Sequence, residues 1–157
     1  MVEGMKKLAH KAHVITPNIT EACLLADIDY IDLSSASVEK AASVSCEIMQ
    51  TLSTLYVNTD IIITGIVCKD NILTLAKKKN SDEISITENS LLPISFPGTG
   101  DLFSSLFLAR TLAGDNIFDA SKYATNQTTS AVKFSQGTDE EIRNGIILEK
   151  FLNENNF

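Results

Sequence analysis

One short run of residues constrains the fold of this chain more than any other feature: Asp60-Ile61-Ile62-Ile63-Thr64-Gly65. Continuous β-branched residues are typical of a strand that is buried on both faces, as in a parallel sheet covered by helices. On either side of this run, helical and strand patterns alternate along the chain. The alternation predicts an α/β architecture.

The remaining elements follow from hydrophobic spacing and from turn residues. Apolar residues at helical spacing predict six helices, over residues 3–12, 18–26, 37–54, 100–113, 116–135 and 139–153. Ser37 is expected to cap the third of these helices, and Thr138-Asp139-Glu140-Glu141 has the pattern of a capping box at the start of the last.

The strands are expected to be short. Residues 13–16 predict a strand that Pro17 ends, and residues 60–65 predict the buried strand. Residues 66–88 have the alternation of an antiparallel meander, with turns at Asp70-Asn71 and at Lys77-Lys78-Lys79. The three lysines are interpreted as a solvated turn.

Composition excludes several classes of protein. The formal net charge of −7 argues against nucleic acid as a partner, because phosphate backbones are held largely by Lys and Arg. No apolar run is long enough to span a membrane, and the first residues lack the pattern of a signal peptide, so a cytoplasmic location and no membrane partner are expected. Cys23, Cys46 and Cys68 are widely spaced and form no C-x-x-C pair, so neither a zinc site nor a disulfide framework is expected. Cys23 and Cys46 lie in apolar helical patterns and are interpreted as buried, reduced thiols.

The strongest candidate site is Gly98-Thr99-Gly100-Asp101, which follows Phe96-Pro97 and begins a helix. Two glycines allow the backbone to turn tightly and to approach a ligand closely. The first N–H groups of a helix lack intrahelical partners and attract phosphate without help from Lys or Arg. A carboxylate in that first turn has the position of a base in phosphoryl transfer. The alternative is an ordinary loop-to-helix junction with Asp placed there by the helix dipole. The chain has no G-x-x-x-x-G-K-[ST] and no G-x-G-x-x-G, which excludes P-loop and dinucleotide-binding motifs.

Two further motifs follow strands. Asn18 and Glu21, within Thr16-Pro17-Asn18-Ile19-Thr20-Glu21, have capping-box spacing, and the same oxygens suit magnesium. Thr64-Gly65 ends the buried strand, where α/β sheets bind ligands. All three motifs are expected on one rim of the sheet. There they would supply an acid near a metal, hydrogen-bond donors to the phosphates, and a base.

Taken together, T-P-N-I-T-E (16–21), I-I-I-T-G (61–65) and F-P-G-T-G-D-L-F-S-S-L (96–106) resemble the ribokinase-like superfamily and, within it, the pyridoxal kinases. The resemblance implies a three-layer α/β/α sandwich with a mostly parallel sheet and an antiparallel edge meander. Residues 1–157 would be the C-terminal, ATP-binding and catalytic part of the kinase domain, with the N-terminal half missing.

The resemblance also implies roles for individual residues. Gly98, Thr99 and Gly100 would form the anion hole, and Asp101 would be the catalytic base. Asn18, Glu21, Thr64 and Gly65 would bind ATP. Glu21 would support Mg²⁺, and Thr16 would lie near a monovalent cation such as K⁺. The segment 66–74 and the helix 116–135, including Ala124-Thr125-Asn126, would border the adenine.

The implied reaction is ATP-dependent phosphorylation of the hydroxymethyl group of pyridoxal, pyridoxine or pyridoxamine. Asp101-Leu102-Phe103 favours this substrate over hydroxymethylpyrimidine, whose kinases usually carry Cys at the position of Asp101. A hydroxymethylpyrimidine or sugar kinase remains an alternative, as does a non-catalytic nucleotide-binding module. Without the N-terminal half, one edge of the sheet is expected to be uncovered, which predicts a homo-oligomer or a partner at that edge.

Overall fold

The computed structural model describes residues 2–137 and 145–154, with the side chain of Glu154 excepted. The chain has the length of one domain, but it forms two compact units, Met1–Leu91 and Leu92–Phe157. None of the helices in the described part is both long enough and apolar enough to cross a bilayer.

The first unit contains three helices and four strands. The helices are α1 (Val2–Ala9), α2 (Ile19–Ala26) and α3 (Val38–Leu55), and the strands are β1 (Val14–Ile15), β2 (Asp60–Cys68), β3 (Asn71–Lys77) and β4 (Ile84–Ser90). Side-chain oxygens of Asn18 and Ser37 cap α2 and α3, which confirms the caps that the sequence predicts. Each cap satisfies a backbone N–H that the first turn of a helix leaves without an intrahelical partner.

The four strands form one mixed sheet in the order β1-β2-β3-β4. β1 and β2 are parallel, with Val14 opposite Asp60, whereas β2-β3 and β3-β4 are antiparallel. The α/β class and the antiparallel meander are therefore confirmed, and one of the three strand pairings is parallel. β1 and β4 are the two edges of the sheet formed by the described residues.

The core of the first unit lies between one face of the sheet and the helices. Ile61, Ile63 and Ile66 of β2 pack with Leu73 and Leu75 of β3 in this core. From the helices come Ala22, Leu25, Ile48, Met49 and Leu52, all buried. The β-branched run therefore forms a buried strand, as its composition predicts.

The second unit is helical in its described part. It contains α4 (Thr99–Leu112), α5 (Ile117–Gln136) and α6 (Leu148–Glu154). Leu102, Ala131 and Phe151, one from each helix, form its buried cluster. The rings of Phe134 and Phe151 meet edge to face at 5.9 Å between centroids, which holds α6 against α5.

Three expectations from the sequence are wrong in detail. Residues 60–68 form a single strand, because the backbone passes through an irregularity between Ile63 and Ile66 without leaving the sheet. The last helix begins at Leu148, since Gly145 has a positive φ of 81° and residues 145–147 are not helical. The proposed capping box at residues 138–141 lies outside the described residues.

The third correction concerns the basic turn. Lys77 is the last residue of β3 and is only 6% exposed, so it is buried in the sheet and not solvated. Pairing with Ile61 on one side and Ile84 on the other places this residue in an inner strand. Lys78 is exposed, and Lys79 is half-buried.

The cysteine thiols are free, as the sequence predicts. Cys23 and Cys68 are buried, and Cys46 is half-buried. Burial raises the pKa of all three thiols, because loss of solvent disfavours the thiolate. The thiol form is consequently favoured at neutral pH.

Candidate functional site

The junction between β1 and α2 holds the first two candidate residues. The N–H of Glu21 donates to Asn18 Oδ1 at 2.9 Å, and the N–H of Asn18 donates to Glu21 Oε2 at 3.0 Å. This reciprocal capping box confirms the structural interpretation of the motif. It uses Oε2 of Glu21 and leaves Oε1 outside both bonds.

Thr64 and Gly65 lie directly beside Asn18. The N–H of Thr64 donates to the Pro17 carbonyl oxygen at 2.9 Å, and Asn18 and Thr64 form a parallel bridge beyond the end of β1. Gly65 has a φ of 69°, and a Cβ atom at this position would lie 3.9 Å from the Asn18 Cβ. The hydroxyl of Thr64 also points to the Pro17 carbonyl oxygen, at 3.5 Å. The structure thus brings Asn18, Thr64 and Gly65 together beyond the end of β1. Thr64 and Gly65 lie at the irregularity within β2 and not at its end, where the sequence places them.

Two separate cavities open beside this junction. Asn18 and Gly65 line a cavity of about 230 Å³ together with the loop Tyr30–Ser34. Thr16 and Glu21 line another cavity of about 330 Å³, whose remaining walls are mostly apolar and come from α1, β1 and α2. Asn18 and Glu21 therefore share a hydrogen-bonded turn but face different cavities.

A directly bound metal needs several protein ligands. Within the described part of the chain, no group of three or more His, Cys, Asp or Glu side chains is placed to hold a metal ion. Glu21 is the carboxylate of this junction, and its Oε1 atom is an oxygen ligand of the kind that Mg²⁺ prefers. The residues present fit a magnesium ion that is held mainly by substrate phosphates and water, with Glu21 as a supporting group.

The remaining candidate residues lie at the start of α4 in the second unit. Gly98 is the N-cap residue, with φ 90° and ψ 0°, and no side chain caps the helix. This left-handed conformation strains any residue with a Cβ atom, which explains the glycine. Asp101 lies in the first turn and is exposed. The N-terminus of α4 thus presents backbone N–H groups without a side-chain cap, next to an exposed carboxylate.

A cavity of about 330 Å³ adjoins this helix start. Its lining includes Gly98 and Asp101, together with Ser105 and Gly145. A Cβ atom on Gly145 would lie 3.0 Å from the Pro97 carbonyl oxygen, so this segment passes close to the glycine turn. Sequence reasoning missed Gly145 by placing it inside a helix. The dipeptide Asn144-Gly145 is a turn signal that identifies the break.

The segments expected to border an adenine lie in different units. Residues 66–74 form the end of β2 and most of β3, while Ala124-Thr125-Asn126 lies within α5. Ala124 and Thr125 are buried, and Asn126 is exposed. Their role at a nucleotide stays a prediction, as does a single rim shared by all three motifs.

Comparison with known proteins defines the class. The family model for phosphomethylpyrimidine kinase matches residues 1–145. A protein assigned as a phosphomethylpyrimidine kinase from Bacteroides thetaiotaomicron has 28% identity to this chain and a TM-score of 0.84, covering 99% of this chain and 52% of its own. An orthorhombic crystal form of that protein, with pyridoxal, gives a TM-score of 0.82 over 99% of this chain and 53% of its own, also at 28% identity.

Two pyridoxal kinases share the fold. The enzyme from Lactobacillus plantarum has a TM-score of 0.74 at 22% identity, covering 98% of this chain and 54% of its own. An ADP complex of the Bacillus subtilis enzyme has a TM-score of 0.67 at 22% identity, covering 84% of this chain and 47% of its own. No curated protein shows a significant match. The chain spans about half the length of the solved proteins it matches.

The α/β fold, the mixed sheet and the glycine turn that begins α4 define a chain with the ribokinase-like kinase fold. More specifically, the chain belongs to the phosphomethylpyrimidine kinase family.

Proposed function

We propose that this chain supplies the ATP site and the catalytic base of a kinase that phosphorylates the hydroxymethyl group of a vitamin B6 vitamer. The observation that carries the proposal is the start of α4, where Gly98 leaves the first N–H groups without a side-chain cap and Asp101 is exposed beside them. Family membership supports a phosphotransferase.

Asp101 acts as the base in this proposal. The substrate hydroxyl oxygen forms a bond to the γ-phosphorus, the bond from that phosphorus to ADP breaks, and the hydroxyl proton passes to the Asp101 carboxylate. Backbone N–H groups of residues 98–101 stabilise the charge on the transferring group, because the helix start is the positive end of its dipole.

Residues of the first unit are assigned to the nucleotide. Asn18, Thr64 and Gly65 contact ATP phosphates, and Thr16 lies near a monovalent cation. Glu21 keeps Oε1 outside its capping bonds, which suits a water-mediated contact to magnesium. Mg²⁺, when bound with ATP, neutralises charge on the phosphates.

Pyridoxal is favoured as substrate by two observations. Asp101-Leu102-Phe103 resembles the pyridoxal kinases, and a solved relative at 28% identity was crystallised with pyridoxal. A second candidate, phosphorylation of a hydroxymethylpyrimidine, is favoured by the family whose model matches the chain.

We also propose that a second copy or a partner chain covers the free edge of β1. The edge strand has two residues, and the apolar cavity lined by Met5, Leu8, Ile15 and Leu25 lies beside it. An unpaired edge next to apolar surface favours association through strand pairing and burial.

The test is to incubate the 157-residue chain with MgATP and either pyridoxal or hydroxymethylpyrimidine, and to measure each phosphorylated product. Pyridoxal phosphate is the expected product. In the Asp101→Asn variant, turnover should fall by about 10²–10⁴-fold, while MgATP binding measured by calorimetry should stay within about twofold.

Each other outcome selects another function. Preferential phosphorylation of hydroxymethylpyrimidine would establish the second candidate. MgATP binding without product from either alcohol would indicate a nucleotide-binding module, and near-normal turnover of Asp101→Asn would remove Asp101 from the role of base.

A further inference from the structure

A buried ammonium group lies at the end of β3. Lys77 is 6% exposed, and its Nζ atom donates to the carbonyl oxygen of Ser81 in the following turn. The neighbouring strands, β2 and β4, pair with it through Ile61 and Ile84. The side chain is therefore held in place, with its charged end directed at the turn.

Within the part of the chain that the structure describes, no carboxylate lies within ion-pair distance of this ammonium. The ion pairs among the described residues are Lys6–Asp27 and Arg110–Asp115, and neither involves Lys77. A buried cation without a counter-charge is unfavourable, because one carbonyl oxygen replaces only part of the water that it loses. An anion bound nearby would offset that cost.

A cavity of about 200 Å³ lies at this position, and it is called the lysine cavity here. Its lining includes Lys77, Lys78 and Lys79, in a chain whose formal net charge is −7. At about 30 Å³ per water molecule in the liquid, the volume holds roughly six or seven waters, which is room for one phosphate and part of its hydration shell.

Two acidic groups lie near the lysine cavity and offset part of its positive charge. Asp60 Oδ1 already accepts the backbone N–H of Lys79 at 2.8 Å, and Asp82, which lines the cavity, is exposed to solvent. The hydroxyls of the lining are also engaged: Tyr56 donates to the Leu25 carbonyl oxygen, and Thr59 donates to that of Ala12. The three lysine ammonium groups are therefore the cationic donors that the lining offers to an anion.

We propose that the lysine cavity binds a small phosphate-bearing anion through Lys77, Lys78 and Lys79. Lysine binds phosphate as a compact point charge with three donors, and three such groups suit an anion that accepts in several directions. The site is distinct from the candidate nucleotide residues. Lys77 pairs with Ile61, three residues before Thr64, which is roughly 10 Å along β2.

The experiment is a titration of the 157-residue chain with inorganic phosphate at constant ionic strength, followed by amide chemical shifts. Chloride replaces phosphate in the reference titration, because exposed lysines attract any anion weakly. The expected result is a saturating shift of the amides of residues 77–82 with phosphate, and only a weak shift that does not saturate with chloride. Following these amides separates the lysine cavity from phosphate binding at the start of α4.

Two variants and a control identify the binding groups. Lys77→Met keeps the buried aliphatic stem and removes the charge, and it should weaken phosphate binding at the cavity about tenfold or more. Lys78→Gln/Lys79→Gln, which changes less buried side chains, should also weaken it. Lys40→Gln, an exposed lysine in the first turn of α3, should bind as the unaltered chain does.

Opposite results would overturn the proposal. Absence of shifts at residues 77–82, equal shifts with chloride, or unchanged affinity in the Lys77→Met variant would each show that Lys77 only holds the turn at Ser81. Unchanged affinity in the Lys78→Gln/Lys79→Gln variant would contradict the proposed three-lysine site.

Discussion

Gly145 shows how a single residue can constrain the candidate site. Its φ of 81° lies in the left-handed region, and a Cβ atom would lie 3.0 Å from the Pro97 carbonyl oxygen. Both features exclude a side chain, since the backbone conformation strains it and the carbonyl contacts it. Pro97 directly precedes the N-cap residue of α4, so Gly145 packs against the turn that carries the candidate anion site.

Gly145→Ala is expected to destabilise the chain by about 1–3 kcal/mol. Alanine would have to adopt the strained positive φ, and its Cβ atom would lie too close to the Pro97 carbonyl oxygen. Urea unfolding monitored by circular dichroism measures the change. Gly137→Ala is the matched control, with a negative φ of −82° and an ordinary 3.5 Å approach to the Phe134 carbonyl oxygen, and it should lie within about 0.5 kcal/mol of the unaltered chain. Equal effects of the two substitutions would contradict the special role of Gly145.

Residues whose roles depend on near neighbours in sequence were predictable. The capping roles of Asn18 and Ser37 follow from the next three residues, and the structure has both. The burial of Lys77 and the approach of Gly145 to Pro97 depend on segments that are distant in sequence. Local pattern and charge therefore predicted a solvated turn at Lys77 and a helix at Gly145, and both predictions were wrong.

At the scale of elements, α2 combines two tasks in its first turn. The capping box orients Asn18 and Glu21, and the parallel bridge to Thr64 fixes that turn against β2. A structural role is therefore established for Asn18, while a nucleotide contact is proposed for it. Substitutions that keep the cap can separate these roles, because serine caps a helix about as well as asparagine.

We expect Asn18→Ala to lose about 1 kcal/mol of stability and Asn18→Ser to lose little, with ATP affinity falling in both variants. Thermal unfolding and calorimetric titration with MgATP measure the two quantities. Ser37→Ala removes the cap of α3 and is the control, with a similar loss of stability and unchanged ATP affinity. If Asn18→Ser binds ATP as tightly as the unaltered chain, Asn18 is a helix cap alone.

Element types were easier to predict than their limits. The hydrophobic run at residues 60–65 identified a buried strand, but it did not reveal that the strand continues to Cys68 through an irregularity at Thr64-Gly65. Glycine in a strand pattern is compatible with either an end or a bulge, and tertiary pairing with β3 decides between them.

At the scale of the whole molecule, the two edge strands of the sheet differ in length and in the surface beside them. β4 is a seven-residue edge strand with exposed side chains such as Ile86, whereas β1 is two residues long and lies beside an apolar cavity. Leu8 on α1 lines that cavity and is 71% exposed.

We expect the isolated chain to self-associate as its concentration rises, and Leu8→Lys to weaken that association by placing a charge on the apolar surface. Light scattering and sedimentation over a range of concentrations measure both effects. Leu112→Lys, at a leucine that is 79% exposed on α4, is the matched control and should leave association unchanged. A monomer at all concentrations, or equal effects of the two lysines, would contradict the proposed interface.

The strand order also has a consequence for the time course of folding. The pairings β2-β3 and β3-β4 join strands that follow one another directly, and the turn between Cys68 and Asn71 closes the first of them. Val14 and Asp60, by contrast, are separated by about half of the first unit, and closing so long a loop costs chain entropy before any contact compensates for it. The meander should therefore acquire hydrogen-exchange protection first. Asn18 would meet Gly65 only in a later step, when β1 docks, so the residues of this unit that are proposed to contact the nucleotide would assemble last.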